Sequence, residues 1–193
     1  MDRPVSILAL AGSYRRGSLN QALLAAARDE APEGIRLADF DLRSVPFYDG
    51  DVEAAGLPAE VERLKAAVAG ADALLLVTPE YNSGIPAVLK NGIDWASRMY
   101  PDAPIGGKLA AIMGASPGGS GTRFAQEQLR QVLERAGAVI VEAPEVMVAR
   151  AGDVIEDGRV ESEDVRAAVG AVVTALAAAV ELCVDEGSLS AVM

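Results

Sequence analysis

The 193-residue chain contains no histidine and a single cysteine, Cys183. Without histidine, a Ser-His-Asp triad, a histidine general base and a histidine-ligated metal are all impossible. One cysteine excludes an internal disulfide and any cysteine-built zinc or iron–sulfur site within one chain. These absences remove many enzyme classes, predict no metal site, and make the cytoplasm the natural compartment.

Positive charge is also scarce, since the net charge is −11. Such a surface repels phosphate backbones and anionic lipid, so we expect neither a nucleic-acid nor a membrane partner. An anionic small ligand would need local backbone donors and a few arginines. The apolar segment 165–184 is alanine-rich and carries Arg166, Thr174 and Glu181, so it predicts a terminal helix packed on the protein rather than a membrane span.

Half of the residues are apolar, and the length suits one ordinary domain, which we predict over 1–184 with a tail at 185–193. Apolar runs of strand length cover 5–11, 35–40, 73–78, 109–114 and 138–141. Segments of helical period cover 19–31, 59–69, 86–98, 122–136 and 163–184. This alternation predicts an α/β three-layer sandwich with a five-stranded parallel sheet in the order 2-1-3-4-5.

Three loops follow the first, third and fourth predicted strands, at 12–17, 79–84 and 115–121. These strands are neighbours in the predicted order, and ligands of such sheets bind at the carboxyl ends of the strands. The three loops should therefore line one crevice. The long connection 41–57, predicted to be irregular, could wall it.

The first loop follows a strand and opens a helix, which directs free backbone N–H groups and the positive helix end toward one spot. Its polar side chains are Ser13, Arg15, Arg16, Ser18 and Asn20. The loop predicts a phosphate site. A capping box formed by Ser18 and Gln21 is the alternative interpretation, and both can be true at once.

Other phosphate-binding loops match less well. A P-loop would need a lysine before Ser18, a cysteine phosphatase would need a cysteine in the loop, and a dinucleotide fingerprint would need a third glycine beside Gly12 and Gly17. The spacing therefore favours one terminal phosphate that is bound without hydrolysis.

The second loop combines Tyr81 and Asn82 in a bent backbone, which suits a flat heteroaromatic ring, because amides pair with ring carbonyl and N–H groups while an aromatic side chain covers the face. A turn before a helix that begins at Pro86 is the plainer interpretation. The third loop has glycines at 118, 119 and 121, where backbone can approach a ligand closely. A flexible linker is its plainer interpretation.

With these loops, the sequence resembles the NADPH-dependent FMN reductases, flavodoxin-like proteins that include quinone, chromate and azo-dye reductases. The shared pattern is Gly12-Ser13-x-Arg15-x-x-Ser18-x-Asn20, then Pro79-Glu80-Tyr81-Asn82 continuing through Ile85-Pro86 to Leu89-Lys90-Asn91 and Ile93-Asp94-Trp95, then Ser116-Pro117-Gly118-Gly119 followed by Arg123. It extends from the first strand to about Glu163. Ser83-Gly84 departs from the pattern, because many relatives have these two residues reversed.

The resemblance implies a bound FMN as cofactor, with NADPH or NADH as co-substrate. The implied FMN-binding residues are Ser13, Arg15, Ser18, Leu19, Asn20, Pro79, Glu80, Tyr81, Asn82, Ser83, Ser116, Gly118 and Gly119. The flavin would take hydride from the nicotinamide and reduce a small acceptor such as a quinone, an azo dye, chromate or free flavin, so no side chain is assigned as catalytic.

The family also implies a homodimer or homotetramer in which a neighbouring subunit completes the crevice, with the helix 86–98 as a contact. Leu89 and Ile93 are expected in the core, whereas Trp95 could serve either role. A non-enzymatic FMN carrier or redox-responsive binding protein is the main alternative function. A phosphate-loop enzyme acting on nucleotides is a second.

Overall fold

Parallel strands flanked by helices account for most of the computed structural model, which describes residues 3–99 and 103–185. In chain order the elements are β1 (Val5–Ala11), α1 (Leu19–Asp29), β2 (Ile35–Phe40), α2 (Gly50–Ala55), α3 (Ala59–Gly70), β3 (Ala73–Val77), α4 (Ala87–Ala96), β4 (Leu109–Ala115), α5 (Arg123–Arg135), β5 (Val139–Ile140), β6 (Val146–Val148), β7 (Ile155–Glu156), β8 (Arg159–Val160) and α6 (Glu163–Asp185).

The main sheet has the strand order β2-β1-β3-β4-β5, and each of these pairs is parallel. The predicted order is confirmed. β3 and β4 are buried along their whole length because helices cover both faces of the sheet. The loops that follow β1, β3 and β4 consequently lie side by side at one edge.

The fifth position of the sheet is divided between two short strands, so the sheet has six strands rather than the predicted five. β5 pairs with the start of β4, from Leu109 to Ala110, and β6 pairs with its end, from Met113 to Ala115. The segment between β5 and β6 contains more residues than the segment of β4 that lies opposite it, so the chain forms a bulge there. Pro144 lies in this bulge and has no N–H group to donate to a ladder.

Alternate residues of β1 face opposite helical layers. Ile7 and Ala9 pack with α1 and α6, whereas Leu8 and Leu10 pack with α3, α4 and α5. The connection 41–57, predicted to be irregular, contains a 3₁₀ turn at Leu42–Ser44 and the helix α2. The hairpin of β7 and β8 was not predicted either, because two-residue strands carry almost no periodicity.

Helix α6 is long and apolar enough to cross a membrane by length and composition. It packs instead against α1 and the sheet. Its buried residues are Val169, Val172, Val173, Leu176, Ala177 and Val180. The prediction of a helix packed on the sheet is confirmed. The predicted tail beyond α6 lies outside the described residues, so the division into 1–184 and 185–193 stays a prediction.

Candidate functional site

Most of the predicted site residues line one crevice at the carboxyl ends of β1, β3 and β4. The crevice has a volume of about 200 Å³. Its lining consists of Ser13, Arg15, Ser18, Leu19, Asn20, Pro79, Glu80, Tyr81, Ala115, Ser116 and Pro117. The remaining predicted residues lie outside this lining, on exposed parts of the same loops: Asn82, Ser83, Gly118 and Gly119.

The first loop, which contributes Ser13, Arg15 and Ser18 to the lining of this crevice, has a row of free backbone donors. Within the described residues, the N–H groups of residues 13–17 have no hydrogen-bond acceptor. Ser18 is the N-cap of α1, and its hydroxyl accepts from the Gln21 N–H at 3.3 Å. The Arg15 guanidinium folds back to donate to the Gly17 carbonyl at 2.7 Å. Free N–H groups, a helix N-terminus and a nearby guanidinium together form an arrangement suited to an anion.

Asn20 joins the first loop to the end of β4. Its side-chain amide donates to the Ala115 carbonyl at 2.8 Å and accepts from the Ala115 N–H at 2.9 Å. The side chain is buried, and its two bonds satisfy the backbone of Ala115, which lies beyond Met113, the last β4 residue that pairs with β3. Asn20 therefore fixes the start of α1 against the third loop, and one of its amide N–H groups is left for a ligand.

Tyr14, which the sequence analysis did not single out, connects the first loop to the end of β2. Its hydroxyl donates to the Phe40 carbonyl at 3.1 Å and accepts from the Leu42 N–H at 2.9 Å. Burial raises the pKa of Tyr14 above its ordinary value. An aromatic residue between two polar loop positions is the signal that could have identified it.

The second loop is a two-residue hairpin turn. Tyr81 and Gly84 exchange two backbone hydrogen bonds of 3.0 Å. The central residues are both left-handed, with φ of 50° at Asn82 and 59° at Ser83, as in a type I′ turn. The turn projects Tyr81 outward, with 51% of its surface exposed.

The Glu80 side chain crosses from the second loop to α5. One carboxylate oxygen accepts from the Ser120 hydroxyl at 3.0 Å, and the other accepts from the Ala125 N–H at 3.1 Å. Gln128, one turn further along α5, accepts from the Ile85 N–H through its side-chain oxygen at 2.9 Å. Gln128 was missed by the sequence analysis, since a polar residue on an exposed helix face carries no sign of such a contact.

The third loop is held by the segment that follows β6. The Gly118 carbonyl accepts from the Arg150 N–H and the Ser116 carbonyl accepts from the Ala151 N–H, each at 3.0 Å. Inside the loop, the Ser116 hydroxyl accepts from the Gly118 N–H at 3.1 Å. The glycines of this loop therefore form a fixed turn, and the linker interpretation does not describe it.

Gly12 brings the first two loops into direct contact beneath the crevice. A Cβ atom at this position would lie 2.6 Å from Pro86 Cγ and 2.9 Å from Pro79 Cδ. Both distances are shorter than real Cβ contacts, so only glycine lets β1 end against the loop that follows β3. This packing holds the start of the first loop against the second loop.

The connection 41–57 is anchored on α4 rather than left free. The Pro46 carbonyl accepts from the Asn91 amide at 2.9 Å and from the Trp95 indole at 2.8 Å, and the Asn91 carbonyl oxygen accepts from the Tyr48 N–H at 2.8 Å. Trp95 is completely buried, so it belongs to the core of its own chain, as do Leu89 and Ile93. Trp95 is thereby excluded as a contact with another subunit.

From the sequence alone, Arg16, Arg98 and Arg123 could each bind the phosphate of a nicotinamide. Arg98 donates to the Glu53 carboxylate at 3.0 Å and lies over the Tyr48 ring, so its charge is already partnered. Arg123 is exposed, stacks on the Phe124 ring and begins α5 beside the third loop. Arg16 is exposed in the first loop. Arg123 and Arg16 therefore adjoin the crevice with their guanidinium groups accessible.

A family model for NADPH-dependent FMN reductases matches residues 5–153, which include all three loops of the crevice. The chain belongs to this family. Its sheet order and two helical layers are those of the flavodoxin-like fold.

Among relatives of this reductase family, an NAD(P)H-dependent FMN reductase of Pseudomonas aeruginosa is 42% identical over 167 residues, covering 86% of this chain and 90% of that protein. A 2-hydroxy-1,4-benzoquinone reductase of a Burkholderia species is 38% identical, covering 84% of this chain and 88% of that protein. Among solved structures, the flavoenzyme FerB of Paracoccus denitrificans, an NAD(P)H:(acceptor) oxidoreductase, superposes with a TM-score of 0.83 at 33% identity, covering 92% of this chain and 98% of that one.

The donor set of the crevice fits FMN. The free N–H groups at 13–17 and Arg15 suit its terminal phosphate, while the backbone of the second and third loops can approach a flat ring. The volume of about 200 Å³ is smaller than pockets that enclose a whole ligand of drug size. A crevice of this size would therefore enclose only part of such a cofactor.

Proposed function

We propose that this protein is an FMN-dependent NAD(P)H oxidoreductase that reduces a quinone or another small acceptor. The observation that carries the proposal is the meeting of three loops, distant in sequence, around one crevice with the donor pattern of its family. The named activities of the Pseudomonas and Burkholderia relatives support the same reaction class and a quinone as acceptor.

In this proposal the first loop holds the FMN phosphate. The N–H groups of residues 13–17 and of the first turn of α1 donate to the phosphate oxygens, and Arg15 supplies the opposing charge. Ser13, Ser18, Leu19 and Asn20 shape this end of the crevice, with Asn20 keeping α1 against β4. A guanidinium is valuable here because the protein as a whole is strongly acidic.

The second and third loops hold the ring. The backbone of Pro79, Glu80 and Tyr81 lies along one side and that of Ser116 and Gly118 along the other, with Asn82, Ser83 and Gly119 at the rim. FMN, when bound, supplies the redox chemistry by accepting two electrons from a reduced nicotinamide and delivering them to the acceptor. The residues of this chain need only orient the two substrates and provide backbone donors for developing negative charge, which explains how a protein without histidine can act.

An open crevice also supports a homodimer or homotetramer, and the single cysteine supports a cytoplasmic setting. A small site that leaves a ring face uncovered would be completed by another subunit. The half-buried surface at the end of α4, around Asp94 and the following Ser97, is available for contact. The exposed guanidinium of Arg123 makes it our choice for the nicotinamide phosphate if NADPH is preferred over NADH.

The decisive experiment is an anaerobic titration of the FMN-loaded protein with NADPH, followed by the visible absorbance of the flavin. We expect rapid bleaching at one equivalent of NADPH, and recovery of the colour when a benzoquinone is added. Persistent oxidised absorbance with both NADPH and NADH would favour the non-enzymatic carrier. A protein that fails to load FMN would refute the proposal altogether.

The phosphate assignment has its own test in the double variant Arg15→Ala/Ser18→Ala. Loss of the guanidinium and of the cap hydroxyl should raise the Kd for FMN by at least about tenfold, while far-UV circular dichroism stays that of a folded protein. Arg36→Ala, an exposed arginine on β2, is the matched control and should bind FMN normally. An unchanged Kd in the double variant would remove the assignment.

A further inference from the structure

The loop proposed to hold the flavin ring has few contacts of its own that would keep it in place. Its hairpin from Tyr81 to Gly84 is closed by two backbone bonds and is exposed at its tip. Two-stranded turns of this size are not stable alone in water. Its position over the crevice must therefore be set by the elements on either side.

Helix α5 makes the contacts that fix the position of this hairpin. Glu80 precedes the hairpin and binds the Ala125 N–H, and Ile85 follows the hairpin and binds Gln128. These two helix positions are three residues apart and so lie on the same face of α5. The hairpin is consequently fastened at both ends to one rigid element.

Glu80 also satisfies a group that α5 cannot satisfy itself. The N-cap residue Thr122 makes no side-chain capping bond, because its buried hydroxyl accepts from the Gln126 amide at 2.9 Å instead. The Ala125 N–H is one of the orphan donors of the first turn. The Glu80 carboxylate, from a loop distant in sequence, accepts a hydrogen bond from this N–H group. Its negative charge also complements the positive end of the helix.

We propose that Glu80 is a positioning residue, whose carboxylate clamps the ring-binding loop and the third loop to the start of α5. Its two oxygens accept from Ser120 and Ala125, so the side chain acts through these groups. A consequence of this clamp is that the distance between the two ring-binding loops depends on Glu80. This consequence rests on the proposed function.

The test compares Glu80→Ala with Glu80→Gln, using Glu127→Ala as the matched control on the exposed face of the same helix. A glutamine oxygen can still accept from Ala125, and its amide can donate to the Ser120 oxygen. The clamp therefore predicts loss of function in the alanine variant and rescue in the glutamine variant. A role for the charge itself in the chemistry predicts that both variants fail.

Two readouts separate this inference from the proposed function. Hydrogen–deuterium exchange of the FMN-free protein should rise about tenfold or more at 81–85 in Glu80→Ala, and return close to wild type in Glu80→Gln. In the FMN-loaded proteins, Glu80→Ala should raise the Kd for FMN about tenfold and lower kcat, with the KM for NADPH within about twofold of wild type.

Unchanged exchange at 81–85 in Glu80→Ala, or equal loss in the alanine and glutamine variants, would overturn the positioning role even if FMN reduction is observed. Failure of the wild-type protein to reduce FMN with increased exchange in Glu80→Ala would instead refute the proposed function and leave the clamp standing. Any effect of Glu127→Ala equal to that of Glu80→Ala would also count against the clamp.

Discussion

Ser83 occupies a backbone conformation that a residue with a side chain rarely adopts. Its φ of 59° is left-handed, whereas the glycine of the same turn lies at the next position, where φ is not positive. Gly84 suits its position for another reason, because a Cβ atom there would lie 3.1 Å from the Gln128 side-chain oxygen, a tight contact. Because the residue order departs from that of the family, the backbone strain lies at Ser83, and the close contact with Gln128 lies at Gly84.

Replacing Ser83 with glycine should stabilise the protein. Relief of the left-handed strain, about 1 to 2 kcal/mol, exceeds the added entropy of the unfolded chain, about 0.5 to 1 kcal/mol. We expect the free energy of unfolding in urea to rise by about 0.5 to 1 kcal/mol. Ser83→Ala, which removes only the hydroxyl, should stay near wild type, and a Ser83→Gly variant no more stable than Ser83→Ala would show that the turn is unstrained.

At the scale of the elements, long apolar runs were predictable and short strands were not. The first two strands begin and end where the apolar pattern predicts. The fifth strand was predicted as one run, but Pro144 and a bulge divide the position between β5 and β6. A two- or three-residue strand contains too few alternations to be distinguished from a loop, and its pairing is decided by the neighbour already in place.

The loops of the site could be located from sequence, because each follows a buried strand of a parallel sheet. The bonds that hold the loops together could not. Asn20 binds Ala115 across 95 positions, and Glu80 binds Ala125 across 45. A polar residue in a loop has the same appearance in the sequence whether it contacts a ligand or another loop, so the supporting role of these side chains emerges only from the folded arrangement.

At the scale of the whole molecule, one well-formed ion pair connects the strands opposite the crevice. The Asp72 carboxylate accepts two bonds of 2.7 Å from the Arg3 guanidinium and one of 2.8 Å from the Ser6 N–H. These bonds tie the start of β1 to the residue before β3. The hydrogen-bonded guanidinium lowers the pKa of Asp72 below its ordinary value.

This arrangement predicts a specific loss of stability in acid. A carboxylate whose pKa is lowered by folding stabilises the protein above its unfolded pKa, about 3.9, and the unfolded chain takes up the proton first as the pH falls. At pH 7, Asp72→Asn should lower the free energy of unfolding by about 1 to 3 kcal/mol. The difference in free energy of unfolding between wild type and Asp72→Asn should narrow as the pH falls below about 4, because Asp72 is then protonated in the unfolded chain before it is protonated in the folded protein. The contribution of the charge is fully lost only below the pKa of the folded state.

Urea unfolding of the wild-type protein and of Asp72→Asn at pH 7, 5 and about 3 measures the difference in their free energies of unfolding directly. The matched control is Asp39→Asn, which breaks a more exposed pair with Arg28 and should change stability by less than about 1 kcal/mol at every pH. If the difference in free energy of unfolding between wild type and Asp72→Asn stays constant from pH 7 to pH 3, the carboxylate is not preferentially ionised in the folded state. A difference in free energy of unfolding that closes in acid would assign it to the Asp72 charge, at the edge of the sheet opposite the crevice.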